Sequence, residues 1–155
     1  MDDRQMRAHV SSGRVARLAT VTPTGQPHVV PVCYTIQGES IFSAVDFKPK
    51  STIDLARLEN VRAHPGVSLV IDRYDDEQWD RLWWVRVDGI ARIIESGVEH
   101  TTALSMLRTK YPQYAQRRPT GAVIAVDIRR WTGWSATDAV TPRSARLDRQ
   151  PARRE

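Results

Sequence analysis

Three short segments of strand-forming residues follow one another near the start of the chain, and only tight turns separate them. Residues 15–21 and 28–35 are rich in β-branched and apolar side chains, and residues 22–26 between them contain the Pro and Gly of a turn. A second turn at 37–39 leads into a further strand at 40–45. Because short turns can join only antiparallel strands, the chain is predicted to begin as an antiparallel meander.

The later part of the chain adds more strands. They are expected at 67–72, at 82–94 and at 122–131. The segment 82–94 is either one long strand or two strands bent at Gly89, since a glycine inside a strand often marks a bend. Pro31 cannot donate a ladder hydrogen bond, so its strand should carry a bulge or an open edge there.

Helices are few and lie between groups of strands. One is expected within residues 1–14, one over 51–63, and one over 96–110, where Ser96 and Glu99 match a capping box. The resulting order, β-β-β-α-β-β-α-β, lacks the helix between successive strands that a parallel sheet needs. The predicted fold is therefore mainly β (α+β), a small antiparallel barrel with peripheral helices.

Length, charge and cysteine content limit the classes of protein. A chain of 155 residues corresponds to one domain, and Cys33 as the sole cysteine permits no internal disulfide. No apolar run approaches the ~20 residues of a membrane helix, and the first residues lack a secretory signal, so a cytoplasmic location is expected. Of the net charge of +5, the segment 143–155 supplies +3 (five Arg against two acidic residues). Residues 137–155 are expected to be an Arg-rich, disordered tail, with anchoring to nucleic acid or an acidic partner as the alternative.

Several common catalytic motifs are absent from the sequence. It contains no dinucleotide-binding or P-loop glycine pattern and no nucleophile elbow. Four histidines occur singly and without a cysteine at metal spacing, so no metal site is expected. They are His9, His28, His64 and His100.

The segment 43–52 is the first candidate site. Lys48 and Lys50 stand where a strand passes into a helix that begins near Ser51. Ammonium groups and the free N–H groups of a first helical turn together favour a phosphate or carboxylate. A solvated loop with an ordinary helix cap is the alternative.

Two aromatic clusters are further candidates. Trp83 and Trp84 point to opposite faces of a strand, so one is expected in the core and the other at an interface or over a planar ligand. The segment 129–134 combines cations with aromatic faces, which suits a dimer interface or a ring-binding site. Simple packing is the alternative for both.

Taken together, these segments resemble the pyridoxamine-phosphate-oxidase-like (PPOX class) split-barrel proteins, and within them the branch that uses the deazaflavin coenzyme F420. The resemblance covers about residues 6–136. It rests on the hairpin 14–32 and on the segments 47–50, 63–67, 83–91 and 124–134.

The resemblance implies a six-stranded, FMN-binding/flavin-reductase-like split barrel over residues 1–136 and a homodimer with cofactor sites in clefts at the interface. It implies a phosphate site at Ser43, Lys48, Lys50 and Ser51, and a ring site along Val30, Pro31, Val32 and Ala44. Aromatic and basic residues from the second subunit would be Trp83, Trp84, Arg129 and Trp131.

The implied function is an oxidoreductase that transfers a hydride between F420 and a small planar conjugated substrate. The multi-arginine phosphate grip of true pyridoxamine phosphate oxidases is lacking, which argues against flavin mononucleotide (FMN) and the vitamin B6 reaction. The alternatives are an FMN-dependent reductase or oxidase, and a non-catalytic protein that binds a flavin, a deazaflavin or a tetrapyrrole. No catalytic residue is assigned, although Tyr34 or a water is considered as proton donor.

Overall fold

Seven strands form one antiparallel sheet in the computed structural model, which describes residues 1–45, 52–117 and 119–137. The strands are Ala16–Val21 (β1), Pro27–Val32 (β2), Thr35–Gln37 (β3), Ser40–Ala44 (β4), Gly66–Arg73 (β5), Trp83–Ile94 (β6) and Val123–Ser135 (β7). Their order across the sheet is β2-β1-β5-β6-β7-β4-β3. The helices are Asp3–Ser12 (α1), Thr52–Ala63 (α2), Val98–Lys110 (α3) and Pro112–Gln116 (α4), with a 3₁₀ turn at Trp79–Arg81.

The two edge strands are neighbours in the sequence, and this curls the sheet into a barrel. Only Cys33 and Tyr34 connect β2 at one edge with β3 at the other. The expected strand at 28–35 is therefore two strands, and the sheet has seven strands where six were expected. The reason is that Tyr34 leaves the ladder: its N–H donates to the Tyr111 hydroxyl (3.0 Å), and its carbonyl accepts from that same hydroxyl (2.8 Å).

The helices α1 and α2 close opposite ends of the barrel. Met6 and Val10 of α1 pack into the main core near the start of β6, and Leu58 and Val61 of α2 pack into the same core. Asn60 of α2 is buried and donates to the Thr20 hydroxyl at the far end of β1 (2.9 Å). A second core cluster lies between α3, α4 and the outer face of β4 and β7.

Local sequence explains the start of α1 but not that of α3. Asp2 and Gln5 form a capping box at α1. At α3 the capping box predicted for Ser96 and Glu99 is wrong, because Gly97 occupies the cap position without a side-chain hydrogen bond. The Glu99 carboxylate instead accepts from the Arg92 guanidinium (2.8 and 2.5 Å), and this tertiary ion pair replaces the local cap.

The segment around Gly89 is one continuous strand with an irregularity in its partner. In the β6–β7 ladder Asp88 pairs with Arg130 and Gly89 pairs with Ile128, so Arg129 is an extra residue in β7. Such a β-bulge increases the local twist and redirects side chains. A Cβ atom at Gly89 would lie 2.6 Å from the Asp127 carbonyl oxygen, which explains the glycine.

Among the helices described, none has the length and apolar character needed to cross a bilayer.

Candidate functional site

The residues predicted to bind a phosphate fall at the limit of the described chain. Lys48, Lys50 and Ser51 lie outside the described residues. Ser43 and Ala44 lie near the end of β4, and each is only 5% exposed. Ala44 packs in the cluster beneath α3, so its side chain is committed to the core.

The residues predicted to line the cofactor ring along β2 do not share one face. Val32 is buried in the main core and Val30 packs against it. Pro31 faces outward beside Arg17, its partner in the β1–β2 ladder. As predicted, Pro31 lies on an open edge strand, where a missing N–H donor costs no ladder bond.

The paired tryptophans point to opposite faces, as the strand period requires. Trp83 packs against the core and stacks on the His9 ring of α1, with centroids 4.1 Å apart and planes 23° apart. Trp84 faces outward, is 37% exposed, and pairs with Trp134 across the β6–β7 ladder. The two-residue period of a strand predicts that the two indoles point to opposite faces, but only the structure shows which indole faces outward.

An aromatic pocket of about 450 Å³ opens where β5, β6 and β7 meet. This volume lies within the usual range for small-molecule sites. Its lining residues include Arg17, Asp72, Tyr74, Trp83, Trp84 and Trp134. Tyr74 is 64% exposed and Trp134 is 41% exposed, so two of its walls are open to a ligand.

Sequence reasoning missed Tyr74, Trp134 and Arg17 as members of this pocket. Trp134 stands in the aromatic segment that the sequence analysis identified, but the bulge at Arg129 shifts the alternation and decides its face. Arg17 comes from β1, and its ion pair with Asp72 of β5 fixes it at the pocket rim. Only the sheet order brings these distant segments together.

Arg129 and Trp131, the other predicted ligand residues, are not among the residues lining the aromatic pocket. Trp131 is half-buried against the core, and the Arg7 guanidinium of α1 lies 4.8 Å from its ring centroid. Within the described residues its indole N–H is buried without a hydrogen-bond partner. Arg129 is exposed at the bulge.

The structure places Tyr34 in a structural role. Its side chain is fully buried and its hydroxyl donates to the Val10 carbonyl. Burial raises the pKa of this hydroxyl, and the nearby Tyr111 raises it further. The proton-donor role considered for Tyr34 therefore has no support from its geometry.

The described residues contain no cluster of three or more His, Cys, Asp or Glu side chains that would suit a metal ion.

The family model for pyridoxamine 5′-phosphate oxidase matches residues 2–135. The chain belongs to this family. The split-barrel resemblance and the α+β fold class are thereby confirmed. No curated protein sequence matches the chain.

Solved structures share the family's fold at low sequence identity. A conserved hypothetical protein, Rv2991, from Mycobacterium tuberculosis is 24% identical with a TM-score of 0.74, over 92% of this chain and 89% of that chain. A FAD-binding protein from Mesorhizobium loti is 22% identical with a TM-score of 0.66, over 86% of this chain and 94% of that chain. The heme storage protein HutZ from Vibrio cholerae is 14% identical with a TM-score of 0.66, over 86% and 93%. At these identities the likeness extends to the fold alone.

Proposed function

We propose that this protein is an oxidoreductase that transfers a hydride between the deazaflavin coenzyme F420 and a small planar conjugated substrate. The observation that carries the proposal is the aromatic pocket of about 450 Å³ on a split barrel of this family. Its exposed aromatic side chains Tyr74, Trp84 and Trp134 suit a flat conjugated ring, because indole and phenol faces stack on such rings.

The cofactor would supply the hydride chemistry, since a reduced deazaflavin donates hydride from its central ring carbon. The protein's own contribution is binding, orientation and exclusion of competing reactions. Trp84 and Trp134 would fix the plane of a ring, and their cross-strand pairing keeps both indoles on the same face of the sheet. The Arg17–Asp72 ion pair at the rim supplies hydrogen-bonding groups for the polar edge of the ring.

The anionic part of the cofactor is assigned to the segment after β4. Lys48, Lys50 and Ser51 follow Ser43 within a few residues and precede α2, a strand-to-helix junction of the kind that binds phosphate. This assignment rests on the sequence. The lack of a multi-arginine grip favours F420 over FMN.

The proposed assembly is a homodimer built through the outward face of β2, β1, β5, β6 and β7. This face combines exposed apolar side chains with ion pairs of both signs, a composition that a second copy can complement. Its members include Arg17 with Asp72, Arg86 with Asp88, and the exposed Val29, Trp84 and Trp134. The aromatic pocket opens on the same face, so a second subunit would border it.

A flavin-binding function is the second candidate, and one observation favours it. Solved structures of this fold include proteins named as FAD-binding, from Mesorhizobium loti and Mycobacterium smegmatis. The aromatic pocket does not by itself distinguish a flavin ring from a deazaflavin ring, because both are flat tricycles. A flavin-dependent enzyme or a non-catalytic flavin carrier would use the same walls.

The deciding experiment is a titration of the full chain with F420 and, separately, with FMN, in which quenching of the indole fluorescence reports binding. We expect micromolar or tighter binding of F420 and weaker binding of FMN. The double variant Lys48→Gln/Lys50→Gln should weaken F420 binding at least about tenfold, because each charge-assisted hydrogen bond contributes roughly 1.5–3 kcal/mol.

The matched control is Arg4→Gln/Arg117→Gln, which removes the same charge at two exposed positions outside the aromatic pocket. Equal losses of F420 affinity in both double variants would show that the effect comes from net charge, and would overturn the assignment of the phosphate site. A preference for FMN would support the flavin alternative, and binding of neither cofactor would overturn both functions.

A further inference from the structure

A second recess lies on the other side of Trp83 from the aromatic pocket. Its volume is about 330 Å³, and it opens between α1, the segment around the 3₁₀ turn and the end of β7. The two cavities share Arg73, Leu82 and Trp83 as lining residues. We call it the α1 recess, and nothing in the proposed function uses it.

The α1 recess has a flat wall. The His9 ring stacks on the Trp83 indole with their centroids 4.1 Å apart, and both side chains line the cavity. Burial lowers the pKa of His9, so its ring favours the neutral form. Among the described residues neither ring nitrogen of His9 has a hydrogen-bond partner in the protein. The wall is therefore planar, uncharged and equipped with unused polar atoms.

The α1 recess also has an unpaired cation at its rim. Arg81 lines it, is exposed, and forms no ion pair or side-chain hydrogen bond within the part of the chain that the structure describes. Arg73 lines it as well and has only a 3.5 Å contact with Asp75. Among the described residues of the lining Asp80 is the single acidic one, against the two arginines.

Two hydroxyl groups complete the lining. Ser135 is 9% exposed, and its Oγ lies 3.1 Å from the Thr137 hydroxyl. One of the two must donate to the other, so one hydroxyl proton stays available for an acceptor. A hydroxyl group and an unpaired guanidinium that line the same cavity form a donor set that matches a carboxylate, whose oxygens only accept.

We propose that the α1 recess binds a small planar aromatic carboxylate, with the ring against the His9–Trp83 stack and the carboxylate on Arg81. Arginine suits this role, because its planar fork can hold both carboxylate oxygens. The shared Trp83 places such a ligand next to the aromatic pocket. Binding in the recess does not require a cofactor and stands independently of the proposed function.

The test is calorimetric titration of the full chain, without added cofactor, with 2-naphthoate and with its neutral isostere 2-naphthamide. We expect naphthoate to bind at least about tenfold more tightly than the amide, since a charge-assisted hydrogen bond contributes roughly 1.5–3 kcal/mol. The variant Arg81→Gln should abolish that preference. Arg81 has no partner in the described fold, so its replacement should leave the melting temperature unchanged.

Two further variants separate charge from location and shape. Arg4→Gln removes one exposed positive charge of α1 outside the recess and should retain full naphthoate binding. His9→Leu removes the flat wall and should weaken naphthoate and naphthamide alike.

Absence of naphthoate binding, or equal binding of acid and amide, would overturn the proposal. So would equal losses in Arg81→Gln and Arg4→Gln. An F420 titration of the Arg81→Gln variant separates this proposal from the proposed function, because the variant is expected to bind F420 as the original chain does.

Discussion

The strands β6 and β7 form one ladder with two unlike halves, and the bulge at Arg129 divides them. In the closed half, Gly89–Ile94 pairs with Val123–Ile128, and α3 covers the outer face of β7. In the open half, Trp83–Asp88 pairs with Arg130–Ser135, and no helix of the described residues covers the outer face, where Trp84 and Trp134 stand exposed. The same pair of strands thus serves the core at one end and presents a binding surface at the other.

The difference between the halves follows from what each outward side chain meets. In the closed half, Val123 and Ala125 have no exposed surface because Ala103 and Leu107 of α3 pack onto them. In the open half, the outward positions include charged residues, which a packed helix would have to desolvate. Exposed indole side chains of this kind mark a surface that a ligand or a partner is expected to cover.

The largest expected effect tests the closed half. Leu107→Ala should lower the free energy of unfolding by roughly 2–5 kcal/mol, because the Leu107 side chain of α3 is fully buried against the sheet and its truncation leaves a cavity. Trp134→Ala should cost only about 0.2–1 kcal/mol, mainly the cross-strand pair with Trp84, yet should weaken F420 binding. Urea denaturation of both variants gives the two values. A greater loss of stability in Trp134→Ala than in Leu107→Ala would contradict this division of the ladder.

A smaller effect is expected at the boundary between the halves. Gly89→Ala should destabilise the fold by roughly 1–3 kcal/mol, because the added Cβ would lie 2.6 Å from the Asp127 carbonyl oxygen and 2.7 Å from a Val126 methyl group. Gly66→Ala, in β5, is the matched control, since no atom of the described residues lies within 4 Å of its Cβ position. Similar thermal stability of the two variants would show that the bulge tolerates a side chain and does not fix the boundary.

The smallest expected effect is a pH dependence at the C-terminus of α3, where the closed half is anchored. Lys110 lies with its ammonium 4.1 Å from the Tyr34 ring centroid, and burial, aided by the positive charge of Arg14, lowers its pKa from 10.5 to about 8. Between these values the unfolded chain binds a proton that the folded chain does not. The Lys110 contribution to the free energy of unfolding therefore rises from about pH 8 toward 10.5.

Lys110→Met keeps the length of the side chain and removes the charge, so it should flatten this rise. The measurement is the melting temperature of the original chain and the variant from pH 7 to pH 9.5. The window stops there because burial raises the pKa of both Tyr34 and Tyr111, whose contributions fall at higher pH. Parallel curves for the two proteins would show that Lys110 does not titrate in this range.

Sequence patterns predicted most of the individual elements, because each depends on contacts within a few residues. The turn at Gly25 has a φ of +85° and that at Gly38 a φ of +56°, a conformation that favours glycine over other residues. The start of α3 could not be predicted in this way. Glu99 suits either a local cap or a distant arginine, and the choice depends on Arg92 of β6, which only folding brings near.

The sequence predicted an aromatic candidate site but identified only some of its residues. Trp83 and Trp84 were recognised from their spacing, whereas Tyr74, Trp134 and Arg17 belong to segments that only the sheet brings together. Trp131 was expected at a ligand or an interface, but it packs beneath α1 with Arg7 over its ring. Alternation along a strand gives two faces without saying which one another element covers.

The sequence by itself determined the antiparallel order of strands, the two tight turns, the helices α1, α2 and α3, and the family. These follow from side-chain period, turn chemistry and short-range connection, which act along the chain. Only the tertiary structure decided the seventh strand, the bulge at Arg129, the covered and open halves of the β6–β7 ladder, and the two cavities on either side of Trp83. Those features depend on contacts between residues far apart in the sequence, and local patterns do not specify which distant surfaces meet.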